Sequence, residues 1–271
     1  MPFPDSPRVL FRRNPLVEVL CQLKFPPILS IAATEPAEFQ ERIRGEYPFY
    51  TKQSGPPVPQ EITQALGILK IPGPEVVRHG FAIEDEQERP TREIALANDF
   101  LALTDRRYHR WETFRDSLMR ARRGLEEIYR PAFYSRIGLR YIDVFSRSAH
   151  GLAETPWEEL IREELVGSLT VEEVQQRVFD LKSLLLLKVP EVEGAMMRVL
   201  YGLLPDKPGS QDKFTVDIDI YTEQRSEATD VQRILDVFHE HAGNFFRWAI
   251  TDRLRDALDP EPLSGTHAAQ G

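Results

Sequence analysis

The sequence predicts an α+β fold: two pseudo-repeats of the order β-α-β-β-β-α, forming an antiparallel sheet with long helices packed on one face. Three observations carry that expectation. The alternation of Val17, Val19, Cys21, Leu23 and Phe25 reads as a strand, and Ile137, Leu139, Tyr141 and Phe145 repeat it about 120 positions later. Pro36-Ala-Glu-Phe and Pro156-Trp-Glu-Glu then open matching helices. Each half also closes on a long amphipathic stripe at the 3.6-residue period: Trp111, Phe114, Leu118, Ala121, Leu125 and Ile128 in the first, Val231, Ile234, Phe238, His241, Phe245 and Trp248 in the second.

Taken in order, residues 16–25 read as a strand, 36–45 as a helix, 62–71, 76–85 and 92–104 as strands, and 110–129 as a helix. The second half reads as strand 135–146, helix 156–165, strands 178–189, 195–204 and 213–222, and helix 229–258. Phe25-Pro-Pro, Ser54-Gly-Pro-Pro, Pro72-Gly-Pro and Pro205-Asp-Lys-Pro-Gly supply the turns between them. The repeats span 10–130 and 131–259 as one integrated unit, with 1–9 and 260–271 as loose ends. Three strands joined by short turns pair as a meander, and two such meanders meeting edge to edge make one curved sheet that removes two exposed edges. In element order this resembles the duplicated saddle of the TATA-binding protein fold, an analogy that carries no function.

Composition narrows the function classes. A chain of 271 residues with 41% hydrophobic and 28% charged side chains suits a packed globular protein. It contains no apolar run of the roughly 18 residues needed to span a bilayer, and the start Met-Pro-Phe-Pro-Asp-Ser lacks a secretory pattern, so a cytoplasmic protein is expected. The single cysteine, Cys21, excludes an intrachain disulfide and falls on the apolar side of its strand, where it serves as a small buried hydrophobe. The net charge of −9 argues against general nucleic-acid binding. The charge is uneven, however: residues 92–147 hold 12 arginines against 8 acids, and residues 148–271 hold 12 basic against 23 acidic side chains. No phosphate loop, dinucleotide fingerprint, nucleophile elbow or paired-cysteine motif occurs, and no cofactor or metal is expected.

Candidate sites come from strand parity. Arg136, Gly138 and Arg140 share one face, two guanidinium groups flanking a bare backbone and suited to gripping an anion. The competing reading is cross-strand ion pairing with Glu18, Asp217 or Asp219, with Lys24 on the same face. Asp217 and Asp219, about 7 Å apart along a strand, are the right residue types for a hard cation. Arg120, Arg122 and Arg123 form a basic surface patch on the first long helix. His239-Glu-His241 does not make a zinc motif, because residues two apart on a helix diverge and Gly243 stands where a second ligand would be; His241 reads as a packing histidine and His239 as exposed. Tyr108, Trp111, Phe245, Phe246 and Trp248 near arginines 106, 107 and 110 have the chemistry for base stacking, but their helical spacing says core.

Four segments add a resemblance. Asn14-Pro-Leu-Val-Glu-Val-Leu-Cys-Gln-Leu-Lys-Phe, Leu96-Ala-Asn-Asp-Phe-Leu-Ala-Leu-Thr with Tyr108 and Trp111, Arg136-Ile-Gly-Leu-Arg-Tyr-Ile-Asp, and Phe246-Arg-Trp-Ala-Ile-Thr-Asp are similar to motifs of a sporadically distributed family of uncharacterised prokaryotic proteins. The likeness covers nearly the whole chain, departs from the family pattern at Asp143 where asparagine is usual, and implies a prokaryotic setting without an activity. The leading expectation is a non-catalytic interaction or regulatory module that binds a protein, itself or another, or an anionic partner. The alternatives are an enzyme or small-ligand-binding protein with an arginine clamp on the sheet face, and nucleic-acid binding through the arginine-rich middle zone.

Overall fold

The computed structural model describes residues 3–5, 7–55, 76–205 and 210–262. In chain order the elements are β1 (Val9–Phe11), β2 (Leu16–Lys24), α1 (Leu29–Ala33), α2 (Ala37–Ile43), β3 (Phe49–Gly55), β4 (Val76–Glu84), β5 (Pro90–Ala97), β6 (Phe100–Asp105) and α3 (Trp111–Tyr129). They continue with β7 (Arg136–Ser146), α4 (Glu163–Val166), α5 (Glu172–Gln175), β8 (Lys182–Lys188), β9 (Met196–Leu203), β10 (Lys213–Thr222), α6 (Val231–Ala249), α7 (Asp252–Ala257) and β11 (Pro260–Pro262).

Nine strands form one antiparallel sheet in the order β3-β4-β5-β6-β2-β7-β10-β9-β8, and β1 pairs with β11 in a separate ribbon. The centre is β2 against β7, in register from Glu18 opposite Ile142 to Lys24 opposite Arg136. Alternation buries Val19, Cys21 and Leu23 of β2 and Ile137, Leu139, Tyr141, Asp143 and Phe145 of β7. Helix α6 packs on β7 and β10, and α3 packs on β6 and α2. The fully buried Phe238 and Phe245 of α6 and Phe114 and Leu118 of α3 each withdraw enough apolar surface to stabilise the fold by about 1.5–3 kcal/mol.

The structure corrects several boundaries read from sequence. Residues 92–104 are two strands, because the chain reverses at Asn98-Asp99 and β5 folds back on β6 with Ala97 opposite Phe100. The helix expected over 156–165 is a single 3-10 turn, Trp157–Glu159, followed by the four-residue α4. The helix expected over 229–258 stops at Ala249: Ile250 becomes extended and bridges Ile161, and Thr251 restarts α7. There the Thr251 hydroxyl donates to the Glu159 carbonyl at 2.7 Å and accepts from the Leu254 amide, the role of an N-cap. Val17 is half-exposed and out of phase with its neighbours because a bulge lies between Leu16 and Glu18. Strand β3 was not anticipated, and the strand expected over 62–71, with its Pro72-Gly-Pro turn, lies outside the described residues. Where loose ends were expected, Val9 and residues 260–262 belong to the ribbon, and Phe3 is buried against Phe245 and Trp248 at 5.0 and 4.9 Å. Among the described residues no helix is long and apolar enough to cross a membrane.

Candidate functional site

The sheet face carrying Arg136 and Arg140 is a ladder of ion pairs. Arg140 grips Asp217 through two bonds, Nε at 2.7 Å and Nη2 at 2.6 Å. Asp219 lies 3.6 Å from Arg136 and 3.3 Å from Arg198. Arg136 also donates to Gln22, folds back over Gly138 and stacks on the Tyr221 ring at 5.0 Å. Glu18 is held by Arg106 at 3.1 Å, and Lys24 lies 3.6 Å from Asp99. Asp217 and Asp219 are only 9% exposed, so each buried acid has its own guanidinium, and the pair has no spare charge for a cation. Among the described residues no group of three or more His, Cys, Asp or Glu side chains has metal-site geometry.

The basic patch is partly committed as well. Arg120 bonds Glu46 at 2.8 Å and Arg122 lies 3.1 Å from Glu126 one turn on, which leaves Arg123 exposed toward solvent. Trp111 and Phe245 are buried, which removes them from any stacking surface.

A different site appears between the ribbon, the loop before α3, β7 and α6. A cavity of about 300 Å³ is lined by Leu10 and Phe11 of β1, by Tyr108, Arg110 and Trp111, by Tyr141 and Asp143 of β7, and by His239 and Phe246 of α6. Each wall has a local cause. Tyr141 and Asp143 face inward because β7 alternates. The exposed Arg110 lines the cavity and the buried Trp111 follows it because α3 starts there, with no side-chain cap on its first turn. Trp111 lies flat on the His239 ring, centroids 4.6 Å apart, and its Nε1 donates to Asp236 of α6 at 2.8 Å, tying the two long helices together.

Tyr141 and His239 are hydrogen-bonded, the Tyr141 hydroxyl 2.9 Å from His239 Nδ1, and Tyr108 packs edge-on against the Tyr141 ring with centroids 6.1 Å apart. Burial pushes both phenols up from their ordinary values, so both stay protonated. Burial, aided by Arg8, pushes the His239 imidazole down to about 3, so it is neutral near pH 7. His239 is therefore not the exposed residue its spacing implied. His241, two positions on, is buried and bonded to Glu191 at 3.0 Å.

Asp143 is the anomaly of this cavity. It is 4% exposed, and among the described residues neither carboxyl oxygen has a hydrogen-bond or ion-pair partner; only its backbone carbonyl does, accepting from Thr215 at 3.1 Å. Burial, with a smaller contribution from the negative Asp217 across the sheet, pushes its carboxyl up to about 8. The arginines around it are engaged elsewhere: Arg8 with Glu112 at 3.0 Å, Arg12 with Glu261, and Arg247 with Asn244. Sequence reasoning passed over this site, although one signal was legible, because Asp143 shares the buried parity of Leu139, Tyr141 and Phe145. Compared with known proteins, the chain matches no protein-family model and no curated protein.

Proposed function

We propose that this is a cytoplasmic small-molecule-binding protein whose site is the Asp143 cavity. The observation that carries the reading is a buried carboxyl with no partner, aimed into a cavity of ligand size. Proteins hydrogen-bond their buried polar groups, because an unsatisfied one costs free energy, so a group left unpaired at a cavity wall marks a place where a ligand completes the bonding. Leu10, Phe11, Trp111, Ile218 and Phe246 supply apolar wall, and Arg8, Arg12, Arg110 and Arg247 line the cavity beside Asp143, a mixture of apolar surface and polar groups suited to a small polar ligand. Tyr108 and the hydrogen-bonded Tyr141–His239 pair contribute polar groups on a second wall.

The scaffold reading belongs to the same proposal. We take the chain as a duplication whose halves meet at β2 and β7, both long helices covering one sheet face. The sheet order supports it: reading outward from the centre, β2 is followed by β6, β5 and β4, and β7 by β10, β9 and β8. The site then lies where the halves join, since Tyr108 and Trp111 come from the first and Tyr141, Asp143 and His239 from the second.

Native mass spectrometry of the gently purified protein, set against its denatured mass, tests the function. The expectation is extra mass that disappears on denaturation and is lost in Leu16→Trp, which fills the cavity from β2. A bare native mass, together with no thermal stabilisation by a metabolite mixture, overturns it. A second reading, protein interaction, rests on β8, the edge strand of the sheet, where Leu184 and Leu186 are 65% and 53% exposed.

A further inference from the structure

We infer that the ligand of this cavity is a small zwitterion: an amine seated on Asp143 at the inner end, and a carboxylate or phosphate held at the mouth by Arg110 and the first turn of α3. The inference rests on the small-molecule reading above and adds the ligand's chemistry to it. At the inner end the Asp143 carboxyl has no partner among the described residues and stays protonated for want of a cation beside it. Arg8 and Arg12 are each satisfied by a carboxylate, Arg247 bonds Asn244, and His239 is neutral, so the protein supplies Asp143 with no cation of its own. An ammonium group fits that place, and the aromatic residues Tyr108, Tyr141 and Phe246 also line the cavity.

The mouth has the opposite need. Arg110 is exposed and its guanidinium has no partner among the described residues. As the N-cap residue of a 19-residue helix it supplies no capping oxygen, so the positive end of α3 and the Arg110 charge point the same way. A cavity of about 300 Å³ is at the small end for ligand sites and selects a compact molecule. One end donates and the other accepts, and both line the same cavity.

Binding an ammonium to a protonated Asp143 exchanges one proton for one cation, which gives the experiment its signature. Isothermal titration of the full chain at pH 7, in buffers of different ionisation enthalpy, would use β-alanine and O-phosphoethanolamine as zwitterions and ethanolamine and propionate as the separate halves. The expected result is that a zwitterion binds at least about tenfold more tightly than either half, with proton release. Asp143→Asn, nearly isosteric, should abolish the proton release and weaken binding about tenfold or more. Arg110→Ala, at an exposed position, should bring the zwitterion down toward ethanolamine while leaving ethanolamine unchanged. The preferred anion is read from β-alanine against O-phosphoethanolamine. Propionate binding as well as the zwitterions, or indifference to Asp143→Asn, overturns the inference. If a compound of another class fills the cavity, the small-molecule reading stands and this inference falls; if native mass and titration both find nothing, both fall.

Discussion

At the scale of single residues, Asp143 sets a pH dependence whose sign can be worked out. Its carboxyl titrates near 8 in the folded state against an ordinary 3.8, so its stabilising contribution is full below 3.8 and is lost as the pH rises toward 8. His239 runs the other way: held near 3 against an ordinary 6.5, it favours the folded state above 6.5 and loses that contribution as the pH falls. The two slopes oppose each other from about 4 to 6.5, which leaves Asp143 alone between 6.5 and 8. Urea unfolding across that upper window should show stability falling by up to about 1.4 kcal/mol per pH unit in the wild type relative to Asp143→Asn. Parallel profiles would show that Asp143 is not held unpaired in the folded state. Strand parity put Asp143 on the buried side, but sequence could not show that its neighbours would leave it without a partner. The same parity put Arg140 beside Asp217, whereas Glu18 went to Arg106 on its other side, the residue after the Asp105 that faces Val19 across β2 and β6.

Among the elements, β9 depends on a single backbone conformation. Gly202 has φ +152°, a region that side-chain-bearing residues rarely enter, and a Cβ there would overlap the Leu181 carbonyl oxygen on the approach to β8. Gly202→Ala should therefore cost about 3 kcal/mol or more and detach β8 first. Hydrogen exchange resolved by segment checks it: intact protection of 182–188 in the variant would refute the argument. Elements with long, regular periodicity were legible, as β10 at 213–222 and the first long helix show. Breaks inside a regular pattern were not. Asn98-Asp99 interrupts a run whose alternation continues on both sides, and Ala249 is followed by apolar residues that keep helical spacing although the backbone has turned outward to meet Ile161.

For the whole molecule, one continuous sheet joins residues 16–105 to residues 136–222 through the pairing of β2 with β7. The β2–β7 contact is one of the most extensive pairings in the fold and places Cys21 against Leu139 in the core. One cooperative transition is expected, with far-UV circular dichroism and tryptophan fluorescence melting together, since Trp111 reports on the first half and Trp157 and Trp248 on the second. Two separated transitions would show halves that fold independently. The succession of strands and helices was visible in sequence because it follows from hydrophobic period alone. The site was not, because it is built from residues as far apart as Tyr108 and His239, and such closeness is a property of how the strands pair and the helices pack.

The ribbon of β1 and β11 has a consequence in time. Leu10 and Phe11 form one wall of the cavity, and that strand is held by Pro260–Pro262; Arg12 and Glu261, ion-paired across the ribbon, are 249 positions apart in the chain. A ribosome delivers the first of these strands early and the second more than two hundred peptide bonds later. Through all of that interval the wall has nothing to pair with, so the pocket cannot close during translation until residue 262 has emerged. A chain that stops short of these residues therefore exposes Asp143 without its enclosure, and the cavity is completed in one step when Pro260–Pro262 pairs with β1.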